Sequence, residues 1–213
     1  PGGGSDITFV AEGDNNWHYR KGTSEASSPI TDWRNINFTE DASWLIGETP
    51  IGFGDGDDTT VLNDMRSNYS TVYLRHEFTV NPLEIPQQLK LRIYADDGAV
   101  VWINGAEVQR VHVAGGQLPF NGNGTNHEAA WEEFTISGAG AFLVGGTNVI
   151  AVHGLNQQIT SSDFSIDVSL SSTSGGAGGG APTPGTFNSS FSNITPPAIR
   201  QVDHFPEVPT SSD

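Results

Sequence analysis

A glycine-rich stretch at residues 52–60, GFGDGDDTT, holds three aspartates within four positions. Asp55, Asp57 and Asp58 would supply carboxylate oxygens at the density that Ca²⁺ needs, because this ion takes roughly six to eight oxygen ligands. The stretch is not an EF-hand loop, since it lacks the glutamate at the twelfth position. It therefore predicts either a structural Ca²⁺ site at these three aspartates or an exposed acidic turn.

A second set of residues has the chemistry for binding carbohydrate. Amide side chains donate and accept hydrogen bonds at once and so match paired sugar hydroxyls, whereas an aromatic ring covers the apolar face of a pyranose. For Trp102 a core position is the competing interpretation, because the segment VVWIN alternates and every other side chain must point inward. Trp131 follows a very polar loop, FNGNGTNHEAA, which favours exposure. The predicted carbohydrate-binding residues are Trp131, Trp102, His153, Asn156, Gln157 and Asn126.

The arrangements that catalysis requires are not evident in the sequence. A Ser-His-Asp hydrolase of the nucleophile-elbow type needs a G-x-S-x-G segment, which the chain lacks. A glycosidase needs two carboxylates about 5 to 10 Å apart across the sugar, and no such pair can be placed. The six histidines form no HExxH or HxH pair that would place two imidazoles on one metal. We therefore expect a chain that is not an enzyme.

Composition excludes further classes of protein. With 9 Lys+Arg against 25 Asp+Glu, the net charge is −16, which repels nucleic acid and anionic lipid. No apolar run approaches the ~20 residues that span a bilayer, so no membrane insertion is expected. The absence of cysteine removes disulfides, thiolate catalysis and iron–sulfur clusters. Strong acidity with few lysines and many Asn, Thr and Gly favours a secreted, extracellular bacterial protein.

Short strands are the elements that must position these residues. Apolar and β-branched residues alternate with polar ones in short bursts about ten residues apart, which is typical of an all-β sandwich. Asn104-Gly105 predicts a two-residue hairpin, because both residues tolerate positive φ. Asp96-Asp97-Gly98 predicts a turn in which an aspartate caps its own backbone and glycine supplies positive φ. The predicted strands are residues 72–80, 89–94, 100–104, 107–111, 132–136, 148–153 and 164–170.

The two ends of the chain differ from this strand-rich middle. Three of the five tryptophans, Trp17, Trp33 and Trp44, lie in a loop-rich lead-in, where we expect them to plug one end of the sandwich. After residue 172 the sequence changes to a Gly/Ser/Pro-rich linker over 173–193. Residues 194–213 regain apolar residues and resemble the start of a further, truncated domain. We therefore expect a fragment of a longer multidomain protein.

Several ordered segments carry a resemblance to a known family. They are WHYRKG (17–22), FTEDASWLIGETPIGFGDGDDTT (38–60), TVYLRHEFTV (71–80), LKLRIYADDGAVVWINGAEVQR (89–110) and VGGTNVIAVHGLNQQITSSDFSIDVSL (144–170). Together they resemble the galactose-binding-like jelly-roll domains of large secreted bacterial proteins, and the tail resembles the lead into an immunoglobulin-like domain. The resemblance implies an antiparallel jelly-roll sandwich of eight to ten strands over residues 1–172, acting as an accessory module.

Two functions follow from these observations. The favoured one is a non-catalytic module that binds a polysaccharide or glycan and is stabilised by Ca²⁺. The alternative is a structural or assembly domain whose C-terminal residues 194–213 pair with a neighbouring chain. The segment Ala198 to Val202 alternates apolar with polar residues after two prolines, so it is competent to add to a sheet edge.

Overall fold

Residues 6–173 are described by the structure, a computed structural model, and their regular elements are β-strands apart from two short 3₁₀ turns, Asp32–Arg34 and Ala139–Ala141. No helix in this range is long and apolar enough to cross a membrane. The tail at 194–213 and all but the first residue of the predicted linker lie outside it, so the linker and the tail pairing stay predictions. The strands are β1 (Thr8–Val10), β2 (Trp17–Lys21), β3 (Leu45–Gly47), β4 (Ile51–Phe53), β5 (Thr60–Val61), β6 (Thr71–Val80), β7 (Gln88–Asp96), β8 (Gly98–Ile103), β9 (Ala106–Val111), β10 (Trp131–Ser137), β11 (Gly146–Leu155) and β12 (Phe164–Ser172).

The strands form two sheets that make a jelly-roll-like β-sandwich. Sheet A has the order β10-β7-β12-β4-β5, with β1 also paired to β12, and sheet B has the order β3-β2-β6-β11-β8-β9. The described range holds twelve strands, so the expected eight to ten is too low. The pairs are antiparallel, as expected of a jelly roll, except that β4 and β5 are parallel. The additional strands are short pieces of the lead-in, two to five residues long.

The seven predicted strands are confirmed, with ends that shift by at most two residues, and β7 shows the period-two alternation clearly. Leu89, Leu91 and Ile93 of β7 are buried between the sheets, while the residues between them are partly exposed. The Asn104-Gly105 hairpin is confirmed too, because it joins β8 to β9 with φ of 50° and 87°. The main core therefore lies where the sequence pattern places it, between the inward faces of the two sheets.

A second apolar cluster covers the outer face of sheet B. Tyr73 of β6 and Trp102 of β8 point away from the main core and pack under Trp33 and Trp44 of the lead-in. We call these four residues the aromatic cluster. The expected plug at one end of the sandwich is therefore wrong: the lead-in lies across a sheet face, and Trp17 is in the main core at 0% exposure.

The Asp96-Asp97-Gly98 turn differs from its prediction. Gly98 begins β8 and does not have a positive φ. Glycine fits this position because of space: a Cβ added here would lie 2.7 Å from the His112 carbonyl oxygen. The Asp97 carboxylate does not cap its own turn. It accepts the backbone N–H of His127 at 2.8 Å and that of Gln157, so it ties two distant loops to the end of β7.

Candidate functional site

An aromatic pair lies on the outer face of sheet A. Tyr94 of β7 and Trp131 of β10 are paired across the two strands, and their ring centroids are 5.5 Å apart at an interplanar angle of 43°. The guanidinium of Arg92 lies 4.6 Å from the Trp131 ring centroid. Trp131 and Tyr94 are both half-buried, so each ring keeps a surface toward solvent. We call Trp131, Tyr94 and Arg92 the Trp131 face.

A polar groove of about 340 Å³ lies beside this face. Arg92 pairs with Glu12 and lies 3.9 Å from Glu133. Lys90 also lies 3.9 Å from Glu133, and Ser169 lines the same groove. Cationic donors, carboxylate acceptors and a hydroxyl therefore line the same groove, and together they can hydrogen-bond to a polyhydroxylated ligand.

The predicted carbohydrate-binding residues do not form one site. Trp131 lies on the Trp131 face, Asn126 is exposed in the β9–β10 loop, and Gln157 is half-buried. Trp102, His153 and Asn156 are only 4%, 1% and 2% exposed. These last three side chains are therefore corrected from ligand contacts to structural residues, since nothing from solvent reaches them.

Their contacts explain the burial. The guanidinium of Arg34 lies 3.9 Å over the Trp102 ring, and His153 stacks on Tyr73 at 4.3 Å. Burial, with the positive charge of Arg34 next, lowers the pKa of His153 to about 3, so its ring is neutral. The Asn156 amide donates to the Asp163 carbonyl at 2.7 Å and holds the β11–β12 loop.

The acidic loop predicted to bind Ca²⁺ reaches the edge of the Trp131 face. Asp55 and Asp57 are exposed, and the Tyr94 hydroxyl donates to Asp57 at 2.9 Å. Ser165 donates to one oxygen of Asp58 at 2.8 Å, whereas the other oxygen is buried with no hydrogen-bond partner among residues 6–173. Across this range, three carboxylate ligand atoms of the loop do not come within 4.8 Å of one another, so a cation would have to draw them together.

Asp96 joins this loop, which the sequence did not predict. It pairs with Ser165 across β7 and β12 and is only 6% exposed. Burial raises its pKa to about 7, and the negative charges of Asp97, Asp163, Glu128 and Asp55 add to the shift; no hydrogen-bond donor in the described range offsets it. We call Asp55, Asp57, Asp58 and Asp96 the acidic cluster.

Burial likewise raises the pKa of Asp58 to about 6, partly offset by the Ser165 hydrogen bond. Both groups therefore hold protons more tightly than an exposed aspartate does. A cation placed between the carboxylates would relieve the repulsion that adds to these shifts in pKa.

A third cluster, which brings two histidines together, is not predicted from the sequence. His112 and His127 stack with ring centroids 3.7 Å apart at 12°, and His112 Nε2 lies 2.6 Å from Glu132 Oε1. The sequence separations of 15 and 5 residues match no short metal motif, so spacing alone could not have found them. The loop that returns from β9 to β10 brings them together.

Comparisons with known proteins bear on the fold. No protein-family model matches the chain, and no curated protein matches it either. Among solved structures, Bacteroides uniformis β-glucuronidase 2 is similar over 79% of this chain and 18% of its own, with 17% identity and a TM-score of 0.50.

A Bifidobacterium dentium β-glucuronidase matches 71% of this chain and 20% of its own, at 22% identity and a TM-score of 0.43. A Ruminococcus gnavus β-glucuronidase matches 72% and 22%, at 15% identity and a TM-score of 0.46. This chain thus spans about a fifth of the length of these enzymes. At 17% identity, the likeness to the Bacteroides enzyme shows a shared β-sandwich fold.

Proposed function

We propose that this chain is a non-catalytic carbohydrate-binding module of the galactose-binding-like type, from a secreted protein, and that the Trp131 face is its binding surface. One observation carries the proposal: a partly exposed tryptophan and tyrosine lie 5.5 Å apart beside a groove lined by donors and acceptors of hydrogen bonds. Aromatic side chains that keep a solvent-facing surface are suited to the apolar face of a sugar ring.

The polar groove supplies the complementary contacts. Lys90 and Arg92 donate hydrogen bonds and carry positive charge, while Glu12 and Glu133 accept. Because these cations already pair with carboxylates, the groove carries no excess positive charge and suits a neutral polysaccharide better than a polyanion. The similarity to β-glucuronidases concerns the fold, so the proposal depends on this face alone.

A non-catalytic role fits the placement of the carboxyl groups with raised pKa. Asp96 and Asp58 have the pKa values expected of a general acid near neutral pH, yet neither lines the groove beside the Trp131 face. Asp96 is also 6% exposed, which keeps its carboxyl away from a bound sugar. The acidic cluster is proposed instead to hold a structural Ca²⁺.

Replacing Trp131 by alanine is expected to weaken polysaccharide binding about tenfold or more, because stacking on an anchor aromatic carries a large part of such an affinity. Affinity electrophoresis in gels containing neutral or acidic polysaccharides measures this loss. Leu83→Ala is the matched control, since Leu83 is 90% exposed and lies outside the groove. Equal retardation of Trp131→Ala and wild-type protein, or no retardation of the wild type in any gel, would count against the proposal.

Added Ca²⁺ is expected to raise the thermal midpoint of the EDTA-treated protein at pH 8, because an ion that binds the folded state stabilises it by mass action. The shift should be lost in Asp58→Asn, which removes a carboxylate with one unpartnered oxygen. Asp41→Asn, which changes an exposed aspartate outside the cluster, should keep it. Differential scanning fluorimetry measures the midpoint. If the wild-type midpoint does not change when Ca²⁺ is added, the acidic cluster does not bind Ca²⁺.

A further inference from the structure

We propose that His112, His127 and Glu132 form a binding site for a divalent transition metal, with Zn²⁺ as the ion best matched to these ligands. One ligand atom from each of the three side chains lies within 4.8 Å of the others. Two imidazoles and one carboxylate are a ligand set that zinc uses in proteins. The site is separate from the acidic cluster, whose oxygen-only ligands suit Ca²⁺.

The backbone around the three residues is held in place. His112 directly follows β9 and its carbonyl oxygen accepts the N–H of Thr125 at 2.6 Å, while Glu132 is the second residue of β10. His127 lies in the loop between these strands, and its N–H donates to Asp97 at 2.8 Å. The three ligands therefore come from the end of a strand of sheet B, the start of a strand of sheet A and an anchored loop, which limits the conformational entropy lost when an ion binds.

The present geometry needs only small shifts to accept zinc. Bonds of about 2.0 to 2.2 Å at tetrahedral angles place ligand atoms roughly 3.4 Å apart. The 2.6 Å between His112 Nε2 and Glu132 Oε1 would open, and the other separations, all within 4.8 Å, would adjust to the same value. Because lone pairs lie in the ring planes, the two parallel imidazoles would also turn out of their stack to converge on one ion. Unstacking is thus a direct sign of binding.

One observation points to a ligand at these three residues, and two others show that an ion can reach them. His127 Nδ1 is buried and has no hydrogen-bond partner among residues 6–173, which is costly for a ring nitrogen. A metal ion that reorients or coordinates this ring offers it a partner. The side chains of His112 and Glu132 are 29% and 34% exposed, so an ion can enter from solvent. The net charge of −16 raises the local concentration of cations.

Zinc titration of the full chain, stripped of metal, tests the site by isothermal titration calorimetry. We expect one Zn²⁺ per chain at this site, and His127→Ala or Glu132→Gln should weaken that binding at least tenfold. His112→Asn should do the same, and Asn tolerates the φ of 50° at this position. His18→Ala is the matched control, because His18 lies 2.5 Å from Glu40 in a His–Glu pair elsewhere on the surface.

NMR spectroscopy tests the zinc site without relying on the measured affinity. In NMR spectra of the histidine rings, Zn²⁺ should shift the signals of His112 and His127 together, as their stack opens, and leave those of His18 in place. Trp131→Ala should bind zinc like the wild type, so loss of sugar binding and loss of metal binding can be told apart. Zinc binding that is unchanged in His127→Ala, or lost equally in His18→Ala, would overturn the site.

Discussion

Replacing Trp33 by alanine is expected to lower the free energy of unfolding by about 3 to 5 kcal/mol, which is the range for removing a large buried aromatic side chain. Trp33 is 1% exposed and is the centre of the aromatic cluster. Its ring lies 4.9 Å from Tyr73, 5.6 Å from Trp102 and 6.4 Å from Trp44. Alanine would leave a cavity among these rings and would remove the edge-to-face contacts that Trp33 makes with Tyr73 and Trp102.

Urea unfolding followed by far-UV circular dichroism measures this change. Trp131→Ala is the control, because a partly exposed tryptophan buries less area. Its removal should lower the free energy of unfolding much less. A loss of less than about 1 kcal/mol for Trp33→Ala would show that the lead-in adds little to the stability of sheet B. A first transition at low urea, separate from the main one, would show that the lead-in opens before the sandwich unfolds.

The position of Trp33 also shows where sequence analysis fails. The strands of the sandwich follow from period-two alternation, and β7 shows it clearly because Leu89, Leu91 and Ile93 share one buried face. The lead-in has no such period, since its strands within residues 6–70 are two to five residues long. Trp33 and Trp44 are placed by tertiary packing against β6 and β8, which no local pattern encodes.

The candidate sites divide in the same way. The aspartates of the acidic loop are neighbours in sequence, so composition alone points to Asp55, Asp57 and Asp58. Asp96 joins them only because β7 and β12 pair and bring Ser165 opposite it. The stack of His112 on His127 likewise requires the β9–β10 loop to fold back, and a separation of 15 positions in the sequence hides it. Local clusters are readable from sequence, whereas clusters assembled by strand pairing are not.

The role of His153 also depends on strand pairing, because the sequence alone does not show whether this side chain is buried. A strand that ends in a histidine before a polar loop is as compatible with a rim ligand as with a core residue. Its neighbours decide the matter: it lies opposite Tyr73 on β6 and Val100 on β8, under the lead-in. An amide-rich loop at the end of a strand therefore does not by itself identify a binding rim.

Replacing Asp96 by asparagine is expected to raise the thermal midpoint at pH 8, measured in EDTA, and to have little effect near pH 4. The pKa of Asp96 is about 7 in the folded protein and about 3.9 when unfolded, so the folded state binds its proton more tightly. Stability is therefore lost as the pH rises from about 4 to 7, where the buried carboxyl must ionise beside other carboxylates. Asparagine keeps the shape and removes the charge.

His153 acts in the opposite direction over part of this range. Its folded pKa of about 3 is below the unfolded value of about 6.5, so it destabilises the fold as the pH falls from about 6.5 to 3. The wild-type pH profile sums both effects, and the difference between Asp96→Asn and wild type isolates Asp96. Asp41→Asn, at an exposed site, should show no gain at pH 8.

Calcium connects this result to the proposed metal site. If Ca²⁺ binds the acidic cluster, it neutralises the charge that asparagine removes, so adding Ca²⁺ at pH 8 should raise the midpoint of the wild type and narrow the gap to Asp96→Asn. A gap that persists unchanged in Ca²⁺ would mean that Asp96 ionises without help from a cation. A midpoint for Asp96→Asn below that of the wild type at pH 8 would show that the carboxylate is held by contacts stronger than the repulsion around it.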